Sequence, residues 1–384
     1  MANASLIEVA RSLVPLVREY ADQAEADRSL PAPVAKAFTE AGLFRMCRPK
    51  ELGGLEADPL TVMNVVEELS RADGSIGWVA MILGAGSVFA GILPKEGAKE
   101  IFSDKDVASG GSFALTGRAV PVDGGYRVSG RWSFMSGCHQ MQWVGGSCIV
   151  FEGDQPKMTP FGPEIVVPLW ETSKSTIVDT WNVAGLRGTG SHDVEIQDVF
   201  VPKAHCAPMP PPGPTFDGPL YAFPFFGFLS IAIASVATGI AQHAVDELLR
   251  VAKTKTPFGM MSTLATRPSA QIAASEAQAA LLSGRALLHE SVREIWEKIV
   301  KKNPVTAEDR ALLRMAATNM TLSAARAIDL AYTANGGSAL YAKSPMQRCF
   351  RDIHAITQHA TVASHTHELF GKILLGVEAD APLL

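Results

Sequence analysis

Apolar residues recur at helical spacing through the first hundred positions. Leu13, Leu16, Val17 and Tyr20 share one face, Val34, Phe38 and Ala41 resume it after Pro31 and Pro33, and Val62, Val65, Val66 and Leu69 follow Pro59. Pro59 stands where a first-turn proline belongs. The run from Gly77 to Leu93 is apolar nearly all round, which predicts a helix buried on most sides and ended by Pro94. From 108 to 204 the pattern changes: Gly and Pro become frequent, and after Asp123-Gly124-Gly125 the positions Tyr126, Val128, Trp132 and Phe134 follow a strand alternation. Trp143 to Phe151, Ile165 to Leu169, Ser175 to Val178 and Val194 to Val201 read as further short strands. Beyond 225 the pattern is helical again, with Ser269 to Lys302 and Thr306 to Ala334 rich in Ala and Leu and free of internal proline. The expected architecture is α+β: a helical domain over 1–107, a β domain over 108–204, a proline-rich linker over 205–224, and a four-helix bundle over 225–384.

Composition narrows the function classes. With 47% hydrophobic residues and a net charge of −5, the chain can bury a large core and is not of the disordered class. Its densest basic stretch is Lys301-Lys302, so no nucleic-acid footprint is expected. Five dispersed cysteines without a CxxC pair predict reduced thiols and a cytoplasmic location, and the amino terminus lacks a secretory pattern. Residues 218–245 carry no Asp, Glu, Lys or Arg, a stretch longer than the roughly 20 residues of a membrane span. Its small-residue centre and the absence of flanking basic clusters predict a buried bundle helix, so no membrane partner is expected. His354, His359, His365 and His367 cluster near the carboxy end, but no two are four apart, and no metal site is expected. No GxGxxG or Walker loop marks a nucleotide domain of its own.

Four stretches occur in a telling order: Ala41-Gly-Leu-Phe through Glu51-Leu-Gly-Gly54; Trp132-Ser-Phe-Met-Ser136-Gly137; Gly185-Leu-Arg-Gly-Thr-Gly-Ser-His-Asp193 with Val199-Phe-Val-Pro202; and Arg348-Cys-Phe-Arg-Asp352. With helices, β domain and bundle in that sequence, the whole chain resembles the acyl-CoA dehydrogenase fold and, within it, the flavin-dependent monooxygenases. Nine residues after Arg351, where the dehydrogenases place a glutamate base, stands Ala360, with His359 beside it. No carboxylate occurs between Asp352 and Glu368, and residues 218–245 offer none at the family's second placement. Losing a general base costs about 10²–10⁴ in rate, so the monooxygenase branch, which carries a histidine there, is the better match.

The resemblance implies reduced FMN or FAD delivered by a separate reductase, reaction with O₂ through a C4a-hydroperoxide, and oxygenation of a small aromatic or heteroaromatic substrate. It implies His359 and Ser136 as catalytic, His359 as substrate base near its usual pKa and Ser136 at flavin N5. Trp132, Ser136, Gly137, Thr189 and Ser191 are expected against flavin, Arg267, Arg348 and Arg351 at its phosphate, and Gly336-Gly337 in a cofactor-contacting loop. Read without the resemblance, Ser136-Gly137 is a strand-end turn with Trp132 in the core, and each arginine a surface ion pair. Trp78 and Phe134 are expected as pocket walls, and Gly86 stands where many relatives carry a second histidine. His192 is expected on a strand, facing solvent. A homotetramer is implied, and residues 375–384 are expected to form a tail over a neighbouring pocket. The rival readings are an acyl-CoA dehydrogenase-like oxidoreductase with an atypical base, and a non-catalytic scaffold.

Overall fold

The computed structural model describes residues 5–160, 162–211 and 213–377; most of the expected carboxy-terminal tail, 378–384, lies outside the described residues. Five helices come first: α1 (Leu6–Asp27), α2 (Ala32–Glu40), α3 (Pro59–Ala72), α4 (Gly74–Gly84) and α5 (Lys95–Ile101). Side chains start three of them: Ser5 and Glu8 form a capping box on α1, Asp58 accepts the Thr61 N–H on α3, and Asp73 accepts the Ile76 N–H on α4. The expected helix 77–93 is shorter than its apolar run: α4 stops at Gly84 and 3-10 turns carry the chain over Gly86–Gly91. Gly84 is where the first layers touch, since a Cβ there would lie 2.5 Å from the Leu43 carbonyl oxygen.

The middle section has ten strands among the described residues: β1 (Ser109–Val122), β2 (Gly125–Met135), β3 (Trp143–Glu152), the two-residue β4 (Gln155–Pro156), β5 (Met158–Thr159) and β6 (Gly162–Pro163), of which β5 and β6 pair only with each other, then β7 (Ile165–Glu171), β8 (Thr176–Val178), β9 (His192–Pro202) and β10 (Cys206–Met209). The main sheet runs β10-β7-β3-β1-β2-β9-β8, antiparallel except for the parallel pair β1/β3. Sequence patterning missed β1, whose Ser109-Gly-Gly-Ser start and bulged residues 113–116 break any alternation. It also assigned residues 206–209 to the linker. They form an edge strand on β7, where Pro208 is tolerated.

The carboxy-terminal bundle is α6 (Phe225–Thr254), α7 (Pro268–Val300) and α8 (Ala307–Asn335), with the short α9 (Pro345–Ile356) and α10 (Thr366–Leu374) standing where a fourth long helix was expected. Thr306 caps α8 through a capping box with Asp309. The stretches Gly74–Gly91 and Phe225–Thr254 are long and apolar enough to cross a membrane by composition, and 83% and 78% of an 18-residue apolar window in each is buried inside the protein. α6, free of charged residues up to Val245, is the central element, and small residues let α3 lie against it. A Cβ on Gly239 would sit 2.5 Å from the Glu67 carbonyl oxygen and 2.7 Å from Ser70 Cβ. Gly239→Ala should therefore lower the unfolding free energy by about 1–3 kcal/mol, as overpacking does, in a denaturant titration with helical content unchanged.

Candidate functional site

The two Ser/Gly turns flagged in the sequence meet in space. The Gly137 N–H donates to the Thr189 carbonyl at 2.9 Å, tying the end of β2 to the turn before β9. Above that tie runs a row of buried side chains: the Trp78 Nε1–H donates to Ser136 Oγ at 3.0 Å, Ser136 Oγ lies 2.7 Å from Ser191 Oγ, Ser191 Oγ 2.6 Å from Thr189 Oγ1, and the Thr189 hydroxyl donates to the Leu186 carbonyl at 2.8 Å. Three hydroxyl protons serve three contacts, and a carbonyl cannot donate. Satisfying all three leaves one assignment: Thr189 gives its proton to Leu186, Ser191 to Thr189, and Ser136 to Ser191. Ser136, accepting from Trp78 and donating to Ser191, then has one lone pair left and no proton to offer.

His359 also packs against Trp78, ring centroids 5.8 Å apart and tilted by 59°. The helix carrying His354 ends at Ile356, so His359 sits in the turn between α9 and α10, where helical face arithmetic over 354–365 does not hold. The Thr361 backbone N–H points at His359 Nδ1 at 3.3 Å and the Thr361 hydroxyl lies 2.9 Å from it. With Nδ1 accepting, the ring proton is on Nε2. Burial pushes the His359 imidazolium down to about 4, which corrects the expectation of a base at its usual pKa. At neutral pH His359 is a neutral ring presenting an Nε2–H donor.

Several expected positions are elsewhere. Trp132 is 0% exposed inside the β domain, tilted on Trp170 at 5.1 Å with its indole N–H on the Ser147 carbonyl. Gly117, Gly130 and Gly146 form its slot, since a Cβ on any of them would come within 2.7 Å of the indole. It is a core residue with no face free for a cofactor. Phe134, expected in a pocket wall, is 70% exposed with its edge toward Trp181. Its φ of 62° and the β2/β9 register shift between Trp132 and Met135 break the alternation, turning Met135 in and Phe134 out. The same shift buries His192, expected to face solvent, at 5% exposure against His139. Desolvation holds its imidazolium below the usual range.

Arg348 and Arg351 are committed within the protein. Arg348 pairs with Asp22, Glu25 and Asp73, and Arg351 with Glu25 at 2.6 Å and with the Ala184 carbonyl, so α9 is strapped to α1 and these guanidinium groups are not free for a phosphate. Arg267 differs. It lines a groove of about 1130 Å³ together with Lys255, Gly336, Gly337, Ser338 and Tyr341, at one end of the bundle. Sequence reasoning missed Lys255, whose Nζ donates to Ser338 Oγ at 2.7 Å, and the indole of Trp78 as a polar partner of Ser136. It also missed the ring cluster of Phe89, Phe113, Phe225 and Phe226, with centroids 5.4 to 6.3 Å apart. Phe226 is one helical turn from Ser230, whose hydroxyl lies 3.4 Å from the Thr361 carbonyl, and this brings the cluster toward the His359 turn.

Residues 6–101 match the N-terminal domain of acyl-CoA dehydrogenases and residues 231–364 their C-terminal domain. The indole-3-acetate monooxygenase of Pseudomonas putida is 34% identical over 369 residues, 95% of this chain and 92% of its own. The oxygenase component of an FADH₂-dependent resorcinol hydroxylase from Rhizobium sp. is 29% identical, covering 94% of this chain and 92% of its own. The crystal structure of 3-HSA hydroxylase from Rhodococcus sp. RHA1 superposes with a TM-score of 0.92 at 27% identity, covering 100% of this chain and 99% of that one. The chain belongs to the flavin-dependent monooxygenases of the acyl-CoA dehydrogenase fold. It is an oxygenase component that uses reduced flavin, supplied by a partner reductase, on an aromatic substrate. The dehydrogenase alternative falls with this match and with the turn 357–365, which contains no carboxylate.

Proposed function

We propose that the chain oxygenates a small bicyclic or phenolic ring held between the His359 turn and the Phe89/Phe113/Phe225/Phe226 cluster. The observation that carries this reading is the buried row from Trp78 to Leu186, which leaves Ser136 one free lone pair and no free proton, while His359, packed on the same Trp78, keeps one free ring N–H. When bound, reduced flavin supplies the electrons that activate O₂. N5 of reduced flavin bears a proton and that of oxidised flavin does not, so the single lone pair of Ser136 fits the reduced form. Thr189 and Ser191 act behind it, by fixing the direction of its hydroxyl. His359 Nε2–H donates to an oxygen or anionic group on the substrate and orients the ring, and the apolar cluster keeps water out. Gly86 leaves room on its side, since a Cβ there would meet no atom within 4 Å. That room supports a ring larger than a phenol, in keeping with the indole named in the Pseudomonas putida relative.

The residues of the bundle groove fit the anionic part of a flavin nucleotide: Arg267 and Lys255 supply charge, and Gly336-Gly337 a backbone edge without side chains. The groove lining includes Phe258, fully exposed, and Tyr341 at 65% exposure. Apolar surface of that kind supports a homotetramer in which one subunit's groove completes another's site. A cytoplasmic protein without a membrane partner completes the proposal. The test supplies NADH, a flavin reductase and FAD or FMN, and follows oxygenated product against hydrogen peroxide with indole-3-acetate and simple phenols. Product from a bicyclic acid is expected, and peroxide alone from every ring would overturn the reading. Gly86→His should shift preference from bicyclic to monocyclic rings by about tenfold in kcat/KM, the scale of a few buried atoms in a pocket, as competition between the two substrate types would read.

A further inference from the structure

Asp352 lies within α9, 3% exposed. Among the described residues the one hydrogen bond to its carboxyl group comes from the Leu186 backbone N–H, at 2.6 Å. Burial and the neighbouring Asp73 push its carboxyl up to about 7. A buried carboxyl with no cation bonded to it is a poor choice for stability alone, and what it holds is more telling. Leu186 sits in the left-handed region at φ 54°, ψ 36°, where a leucine rests only if its surroundings keep it there. Each residue of the approach is pressed onto α9 by a different contact. Ala184 gives its carbonyl to the Arg351 guanidinium, a Cβ on Gly185 would lie 2.1 Å from the Arg351 carbonyl oxygen, and Leu186 gives its N–H to Asp352. The carbonyl of that same Leu186 accepts from the Thr189 hydroxyl at 2.8 Å and from the Trp181 indole at 3.0 Å. It is the terminus that sets the direction of every hydroxyl back to Ser136.

We propose that Asp352 is a positioning residue for the cofactor site: by holding Leu186 from behind, it fixes the 184–191 turn so that the row of hydroxyls closes on Leu186 and Ser136 keeps its lone pair outward. The link to cofactor rests on the assignment of Ser136 given above. The link to the turn does not.

The experiment compares Asp352→Ala with Asp352→Asn, whose side-chain oxygen still accepts from Leu186. In flavin-free protein, deuterium exchange of the amides of 184–191 is expected to rise at least about tenfold in Asp352→Ala, with α7 unchanged, and to stay within about threefold of native in Asp352→Asn. Anaerobic titration with reduced FAD should follow the same order, weakened at least about tenfold by Ala and largely kept by Asn. Unchanged exchange at 184–191 in Asp352→Ala would overturn the proposal. So would a rise spread evenly through α7, which marks a stability residue, or an Asn variant as poor as Ala, which would mean the charge matters and the acceptor does not. Should the native protein bind no reduced flavin, the functional reading fails by itself and the exchange data still decide the role of Asp352.

Discussion

His359→Ala should cut oxygenated product per NADH consumed by about 10²-fold, the lower end of what losing a proton-handling group costs, with the missing equivalents appearing as hydrogen peroxide. The loss has two sources that a second variant separates. The ring's Nδ1 accepts the Thr361 N–H and so shapes the turn, while Nε2–H takes no part in it. His359→Asn offers an oxygen three bonds from Cα, as Nδ1 is in histidine and the kind of acceptor that closes an Asx turn, and restores the turn without restoring the outer ring donor. Asn is expected to recover native thermal stability and flavin affinity while product stays low. Recovery of product as well would show that the turn, and not the imidazole proton, matters.

The pH profile checks the same residue independently. A histidine in water gains its proton near pH 6.5, and burial lowers that point to about 4 in the folded protein. The neutral Nε2–H form is therefore present above about pH 4 in the native state, so product yield should hold steady from pH 8 down toward 5. An acid limb near 6.5 that vanishes in His359→Asn would contradict a buried ring. Stability carries the matching sign: the unfolded chain takes up this proton below about 6.5 and the native state resists it until about 4, so stability falls as pH drops through that window.

How far the sequence carried the reading depended on the range of the contact concerned. α7 and α8 were legible because long runs without Pro or internal breaks allow one answer, and Thr306 announces its own cap. Strand alternation was legible up to Trp132 and then failed, because one residue with positive φ resets the parity and no local signal at Phe134 announces it. The aromatic ring that looked suited to a cofactor is core, while the rings of Phe89, Phe113, Phe225 and Phe226 come from three separate segments that only folding gathers. For Arg348 and Arg351 the sequence left a phosphate contact and an ion pair equally open, because Asp22 and Glu25, on α1, look like an ordinary solvated helix face until α9 is laid against them. Ser136 and Ser191 were each singled out by short-range pattern. Their mutual bond, 55 residues apart, and the indole proton that polarises it were beyond the reach of pattern.

That bond makes opposite outcomes from two neighbouring serines the sharpest expectation. Ser136→Ala deletes the acceptor and leaves the Trp78 indole N–H without a partner, so affinity for reduced flavin should fall by about 5- to 150-fold, the range for a lost hydrogen bond of about 1–3 kcal/mol in a buried place. Oxidised flavin, which brings no N5 proton, should bind this variant about as it binds the native protein. Ser191→Ala leaves Ser136 in place but removes the oxygen its proton was committed to. The freed hydroxyl can turn and donate, which suits the unprotonated N5 of oxidised flavin. Affinity for oxidised flavin should then rise by about tenfold, the value of one modest hydrogen bond, with affinity for the reduced form little changed. Anaerobic fluorescence titrations with both redox forms read the two ratios directly. If both variants weaken both forms alike, the row is packing and its direction carries no selectivity. If they diverge as stated, the preference for reduced flavin is set by a proton order that begins at Trp78 and ends on a main-chain carbonyl, and it can be tuned without touching the residue that meets the cofactor.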